Sequence, residues 1–171
     1  MLNPIIKLLQ RPTPSAKKMD KALTSLTSRA VLVGVPESTS PRNSGAAQMN
    51  NATLAYIHDN GSPLANIPQR EFLRPGVRDD KANTIKFLGQ GARLALDGNT
   101  GAVERALTSA GLSAQKSIRR KISTGPFAPL KPSTVRGRIR RHKGRTGVSA
   151  QPLIDTGQLR QSINFVVVDK K

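Results

Sequence analysis

The chain contains no cysteine and no tryptophan, and only one tyrosine and four phenylalanines. Without cysteine there can be no disulfide framework, cysteine-ligated zinc, iron–sulfur cluster or thiol nucleophile. Acid is scarce as well: 10 Asp and Glu stand against 28 Lys and Arg, a formal net charge of +18. No apolar run approaches the roughly 18 residues of a membrane-spanning helix, so no membrane role is expected. The N-terminus, MLNPIIKLLQRP, is interrupted by Pro4 and Lys7 and lacks a small-residue cleavage site, unlike a secretory signal. A soluble protein used without processing is the expectation.

What remains suffices for a folded core. Leu, Ile, Val and Phe make up about 24% of the 171 residues, above the roughly 20% below which highly charged chains stay disordered. The length suits one domain with extended arms. Residues 1–19 carry Lys7, Arg11, Lys17 and Lys18 and precede the first acid, Asp20. Within them Leu2, Ile5, Ile6 and Leu9 share one helical face before Pro12 and Pro14 break it. A helix that short is marginal alone in water, so this arm either docks or stays loose.

From Asp20 to Ser28 the pattern is helical, with Leu23 and Leu26 inward. Residues 30–35 read as a strand ended by Pro36, and 37–51 as a polar loop. Ala52–His58 alternates like a second strand, closed by the turn chemistry of Asp59-Asn60-Gly61. A Pro-rich loop follows. Helices are then expected from Asp79, with Ile85, Leu88, Ala92 and Leu96 inward, and from about Ala102. The second carries a stripe of Val103, Leu107, Ala110, Ala114, Ile118 and Ile122 and ends at Gly125-Pro126. Residues 124–151 show no sustained periodicity and form a basic loop; no acid lies between Glu104 and Asp155. A turn of helix at 159–163 and a terminal strand at 164–168 complete the pattern. The expected fold class is α+β: a small antiparallel sheet with two main helices packed on one face. Residues 20–171 would form that single α+β domain.

No catalytic constellation stands out. His58 beside Asp59 reads as a solvated or satisfied side chain, and His142 sits in a cationic run. Asp79-Asp80 suits a helix start, without the further oxygens a calcium or magnesium site needs. Gly89-Gln90-Gly91 lies mid-helix, outside the context of a phosphate cradle. The chain is read as a non-enzyme without cofactor or metal. Its most pronounced chemistry is the cationic run Arg136, Arg138, Arg140, Arg141, Lys143 and Arg145. Such a run can neutralise phosphates without sequence choice, or it can meet acidic neighbouring proteins. The lack of interleaved aromatics argues against single-strand or RNA readout.

Three stretches carry a family resemblance. They are Tyr56-Ile57-His58-Asp59-Asn60-Gly61 leading into Ile67-Pro68-Gln69-Arg70-Glu71-Phe72-Leu73-Arg74-Pro75; Pro129-Leu130-Lys131-Pro132-Ser133-Thr134; and Pro152-Leu153-Ile154-Asp155-Thr156-Gly157-Gln158-Leu159-Arg160-Gln161-Ser162-Ile163. Together, over roughly residues 52–168, they resemble the neck and tail-completion proteins of tailed bacteriophages, also called virion morphogenesis or head–tail joining proteins. The Pro-rich start and the cationic loop look like additions to that pattern. The resemblance implies a homo-oligomeric ring of six or twelve copies between the head-closure (stopper) protein and the tail tube or tail terminator protein. Packaged double-stranded DNA would pass through it, and the chain would reside in the virion after assembly in the host cytoplasm. Arg70, Phe72, Leu73, Asp155, Thr156, Leu159 and Arg160 are then candidates for a subunit interface, because a donor fork beside apolar anchors suits a packed junction. Plain turn and core chemistry within one protomer accounts for the same residues. The alternative to a connector is a basic nucleic-acid-binding protein, with a hydrolase a distant third.

Overall fold

The computed structural model describes residues 14–37, 50–99, 101–142 and 150–170. The element order is α1 (Pro14–Thr27), β1 (Arg29–Gly34), α2 (Asn51–Asn60), α3 (Leu73–Asp79), α4 (Lys81–Leu96), α5 (Ala102–Thr124), α6 (Pro132–Arg141), α7 (Gln158–Ser162) and β2 (Asn164–Asp169). This is an α+β fold, as the composition and patterning predict. The greater part of the expected arm (residues 1–13), most of the expected 37–51 loop (38–49), and residues 143–149 lie outside the described residues.

Helix α5 is the spine. Its 23 residues span about 35 Å at 1.5 Å per residue. The expected stripe is buried along its whole length, from Val103 to Ile122. Its first half forms one apolar cluster with Ala22 of α1 and Ala95 of α4, joined by Leu26, Val31 and Val167. Its second half carries Ile118 and Ile122 into another with Ala55, Phe72, Leu153, Leu159 and Ile163. The two strands lie on α5 between these clusters. They pair antiparallel with Val31 opposite Val167 and Val33 opposite Phe165, so the C-terminal strand joins one begun over a hundred residues earlier. Two glycines let neighbours come close to the spine. A Cβ on Gly76 of α3 would lie 2.8 Å from the Ile118 backbone, and one on Gly91 of α4 would lie 2.2 Å from Ala106 Cβ.

Several expected elements differ. Residues 52–58 are helix, not strand: Asn50 caps it by accepting from the Thr53 N–H at 2.7 Å, and Asn51, Ala55 and Asp59 make a narrow buried stripe at i, i+4 spacing. Asn60-Gly61 is thus a helix stop, with Gly61 at φ 78°. Among the described residues the sheet accordingly has two strands, without the one expected over 52–58. Helix α1 begins at Pro14, six residues before the expected start, because proline is tolerated in a first turn. Leu73–Asp79 is helical despite Pro75-Gly76, since Pro75 falls in its first turn. In α4 the buried residues are Gly91 and Ala95, whereas Ile85, Leu88 and Leu96 are exposed. Residues 132–141, expected as loop, form α6 with Pro132 at its start.

Candidate functional site

Two buried arginines draw the distant stretches of the resemblance together. Arg70 follows α2, where its backbone N–H donates to the His58 carbonyl at 2.8 Å. Its Nε donates to the Ala128 carbonyl at 2.9 Å and its Nη2 to the Pro129 carbonyl at 3.2 Å. Arg138, on α6, is only 7% exposed. Its Nη1 donates to the carbonyls of Gln151 at 2.8 Å and Ile154 at 2.7 Å. A planar fork of N–H donors suits this task, tying irregular backbone whose carbonyls have no ladder partner. Gln151 in turn donates to the Ser123 carbonyl at the end of α5.

Asp155 closes the arrangement. It accepts from Arg141 Nη2 at 2.8 Å and from His142 Nε2 at 3.1 Å, and Arg138 Nε lies 3.8 Å away. Burial alone would push its carboxyl up. The hydrogen bonds from His142 and Arg141 and the charges of Arg138 and Arg141 outweigh that and hold it below the ordinary carboxylate range. Arg70 is lowered from its usual value by burial and then by the charge of Arg138. Arg138 is lowered by burial, drawn up by Asp155 and lowered again by Arg141. Both stay cationic at neutral pH. Carbonyl oxygens therefore supply much of the compensation that carboxylates do not.

Upstream, Asp59 Oδ1 accepts from the N–H groups of Phe72 at 2.8 Å and Leu73 at 3.0 Å. This satisfies two of the donors at the start of α3 and anchors the backbone of Phe72, whose side chain lies in the core. Downstream, Leu153 adopts φ 65° and Gly157 φ 80°. A left-handed leucine carries a cost of about 1–2 kcal/mol. Here it is held by its own burial and by the Arg138 bonds to the carbonyls of Gln151, two residues before it, and Ile154, the next residue.

The expected interface residues thus fall into two groups. Phe72 and Leu159 are inside the core, Leu73 packs against it, and Arg70 is buried. What these four could give an interface is the shape of the loops they hold. Asp155 is half-buried; Thr156 and Arg160 are exposed, with Thr156 Oγ1 accepting from Gln158 N–H at 3.4 Å and Arg160 donating to Ser123 Oγ at 3.2 Å. Of the basic set, Arg136 and Arg140 project from α6 into solvent. Arg141 is exposed but tied to Asp155, and the donors of Arg138 are committed inside the fold. Lys143 and Arg145 lie outside the described residues.

Sequence reasoning missed the anchoring roles of Asp59, Gln115 and Arg119. Gln115 Nε2 donates to the Ile163 carbonyl at 2.7 Å, and Arg119 Nη2 to those of Ile163 at 2.8 Å and Gln161 at 3.1 Å, fixing the entry to β2. All three act across more than ten residues, so no local pattern could reveal them. An open cleft of about 770 Å³ lies beside Arg70, between residues 58–69 and 129–134. At its edge the Ser62–Ile67 bridge, with both N–H···O bonds at 2.9 Å, supports a loop whose Leu64 is fully exposed. Among the described residues, no group of three or more His, Asp or Glu could hold a metal ion. No helix there is long and apolar enough to cross a membrane. Comparison with protein-family profiles, curated proteins and solved structures gives no match.

Proposed function

We propose that this chain is a structural ring subunit of a tailed-phage neck, joining the head-closure protein to the tail tube or tail terminator around the DNA channel. One observation carries the reading: the three stretches of the resemblance converge on one rigid cluster. Arg70 ties the first to the second, Arg138 ties α6, which begins at the second, to the third, and Phe72, Leu153 and Leu159 share one core. Such a cluster fixes loop shape to high precision, as mutual fit between copies requires. Leu64, held out on a braced loop beside an open cleft, is the apolar knob from which a contact with the next copy would start.

Charge supports the same reading. Six copies, at +18 each, would gather about +108 in one ring, which must be offset by acidic surfaces or by DNA. A channel that releases DNA quickly is poorly served by tight phosphate contacts. Arg136 and Arg140 are therefore assigned first to acidic neighbouring proteins. The second reading, a nucleic-acid-binding protein, draws on those same exposed arginines and the net charge.

A gel shift across a salt series, beside electron microscopy of the purified protein, separates the two. The ring reading expects annular particles and weak binding. Nanomolar binding with a steep salt slope and no rings would favour the nucleic-acid reading. Removing residues 1–13, which precede α1, should leave a folded subunit but lower the yield of tailed heads. Undiminished joining would count against a role for that segment at the neck.

A further inference from the structure

The open cleft beside Arg70, about 770 Å³, is lined by Arg70 and Lys131 and, among the described residues, by no carboxylate. Arg70 is 6% exposed, so its guanidinium is a buried charge. The side edge of its fork is occupied, with Nε on the Ala128 carbonyl and Nη2 on that of Pro129. The end edge, Nη1 with the outer N–H of Nη2, has no acceptor among the described residues. The charge that bears on this guanidinium is Arg138, of the same sign. A buried cation with open donors and no counter-charge is costly until an anion meets it.

Helix α6, of 10 residues, begins at the same wall. Lys131 at its N-cap and Thr134 in its first turn both line the cleft, and no side chain caps that end. The positive end of the helix therefore adds to the field of Arg70 and Lys131. Shape narrows the choice of anion. The end edge of a guanidinium matches a planar pair of oxygens, which is the geometry of a carboxylate. Around it Pro63, Ile67, Pro68 and Leu130 line the cleft, and they suit the apolar side chains that flank an acid along a peptide. A DNA duplex is too wide and stiff to bring a phosphate to a guanidinium recessed in this way.

We propose that this cleft is a binding site for a carboxylate carried by a partner polypeptide. The end edge of Arg70 accepts both oxygens as a fork, Lys131 steadies the charge at the rim, and the apolar neighbours of the acid rest on Ile67, Pro68 and Leu130. The strut role of Arg70 and this binding role are compatible, because they use different edges of one plane: the side edge ties the 128–129 backbone and thereby holds the end edge in place for the ligand. The inference concerns a lone subunit and a peptide, so it stands apart from the ring reading and fails or holds independently of it.

Nuclear magnetic resonance of the isotope-labelled full chain reads the Arg70 Nε–H signal without altering the residue, so no loss of fold can mask the outcome. The probe is the blocked peptide acetyl-Pro-Leu-Glu-Leu-Pro-amide. Saturable shifts of that signal and of the amides of residues 62–69 are expected, with affinity at least about tenfold above that of the same peptide carrying Gln for Glu. A third peptide, with Gln inside and a free C-terminal carboxylate, tells a side-chain source from a chain end; tighter binding than the neutral peptide by either carboxylate supports the site. Lys131→Glu sets a competing carboxylate at the exposed rim and should weaken binding about tenfold. Arg136→Gln with Arg140→Gln, on the solvent side of α6, should leave it within about twofold at physiological salt. No shift with either carboxylate peptide, equal binding of the neutral one, or equal losses in the two variants overturns the inference. So does a short DNA duplex that shifts the Arg70 signal at lower concentration than the peptides, which would make phosphate the ligand.

Discussion

Replacing Arg138 with methionine keeps the aliphatic stem and removes the guanidinium. Two charge-assisted hydrogen bonds vanish, to the carbonyls of Gln151 and Ile154, together with a 3.8 Å ion pair to Asp155. Hydrogen bonds to a charged group contribute about 1.5–3 kcal/mol each. Two effects reduce that sum. The half-buried carbonyls can recruit water, and a buried cation repelled by Arg70 and Arg141 no longer has to be desolvated. The net expectation is a loss of about 2–4 kcal/mol, or roughly 4–16 °C in Tm for a chain of this size. Arg141→Met is the matched control. Its side chain also contacts Asp155 but is 61% exposed, and exposed pairs contribute below about 1 kcal/mol. Urea unfolding of both variants, monitored by circular dichroism, reads the difference directly. A value for Arg138→Met within about 0.5 kcal/mol of the parent, or equal losses for the two variants, would refute the assignment of Arg138 as an internal strut.

Two residues apart on α4, glycine-to-alanine changes should have opposite signs. At Gly89 a Cβ meets nothing within 4 Å, so Gly89→Ala should stabilise by about 0.5–1 kcal/mol through helix propensity. At Gly91 it would lie 2.2 Å from Ala106 Cβ, which cannot swing away, so Gly91→Ala should destabilise by about 1–3 kcal/mol in the same titration. The Asp155 carboxyl is held below the ordinary range, so its contribution to stability is complete above the unfolded value of about 3.9 and fades as pH falls through the folded value. Asp155→Asn should therefore be less stable than the parent at pH 6, with the gap closing below about pH 4; a constant gap would contradict the network. Leu64→Asp should leave the unfolding midpoint unchanged, because the side chain is fully exposed, yet weaken self-association at least tenfold by analytical ultracentrifugation.

The parts of the fold visible in the sequence are those whose burial follows apolar periodicity. The α5 stripe and the β1–β2 valines are of this kind, since nothing but core packing explains their spacing. Helix α6 escaped because its buried residue is Arg138, while its Ile139 faces solvent, so hydrophobicity reports the wrong face. Helix α2 escaped because only small or polar residues, Asn51, Ala55 and Asp59, make its buried stripe. The alternation of Leu54 and Tyr56 with Ala55 and Ile57 then imitates a strand. In α4 the fold follows a logic the pattern hides. Gly91 and Ala95 are buried because α5 comes close there, and the larger residues are left exposed. Asp59 illustrates the limit at the candidate site, as its partners Phe72 and Leu73 lie 13 and 14 residues away and only the folded loop makes them neighbours.

The central claim is that this protein works by fit between copies in a phage particle. Quantitative mass spectrometry of tailed virions purified from cells that produce the chain would count those copies per particle. The account predicts six, or twelve for a ring nearer the portal. A chain absent from virions yet abundant in the infected cell, or present in numbers that track DNA length rather than ring symmetry, would contradict it.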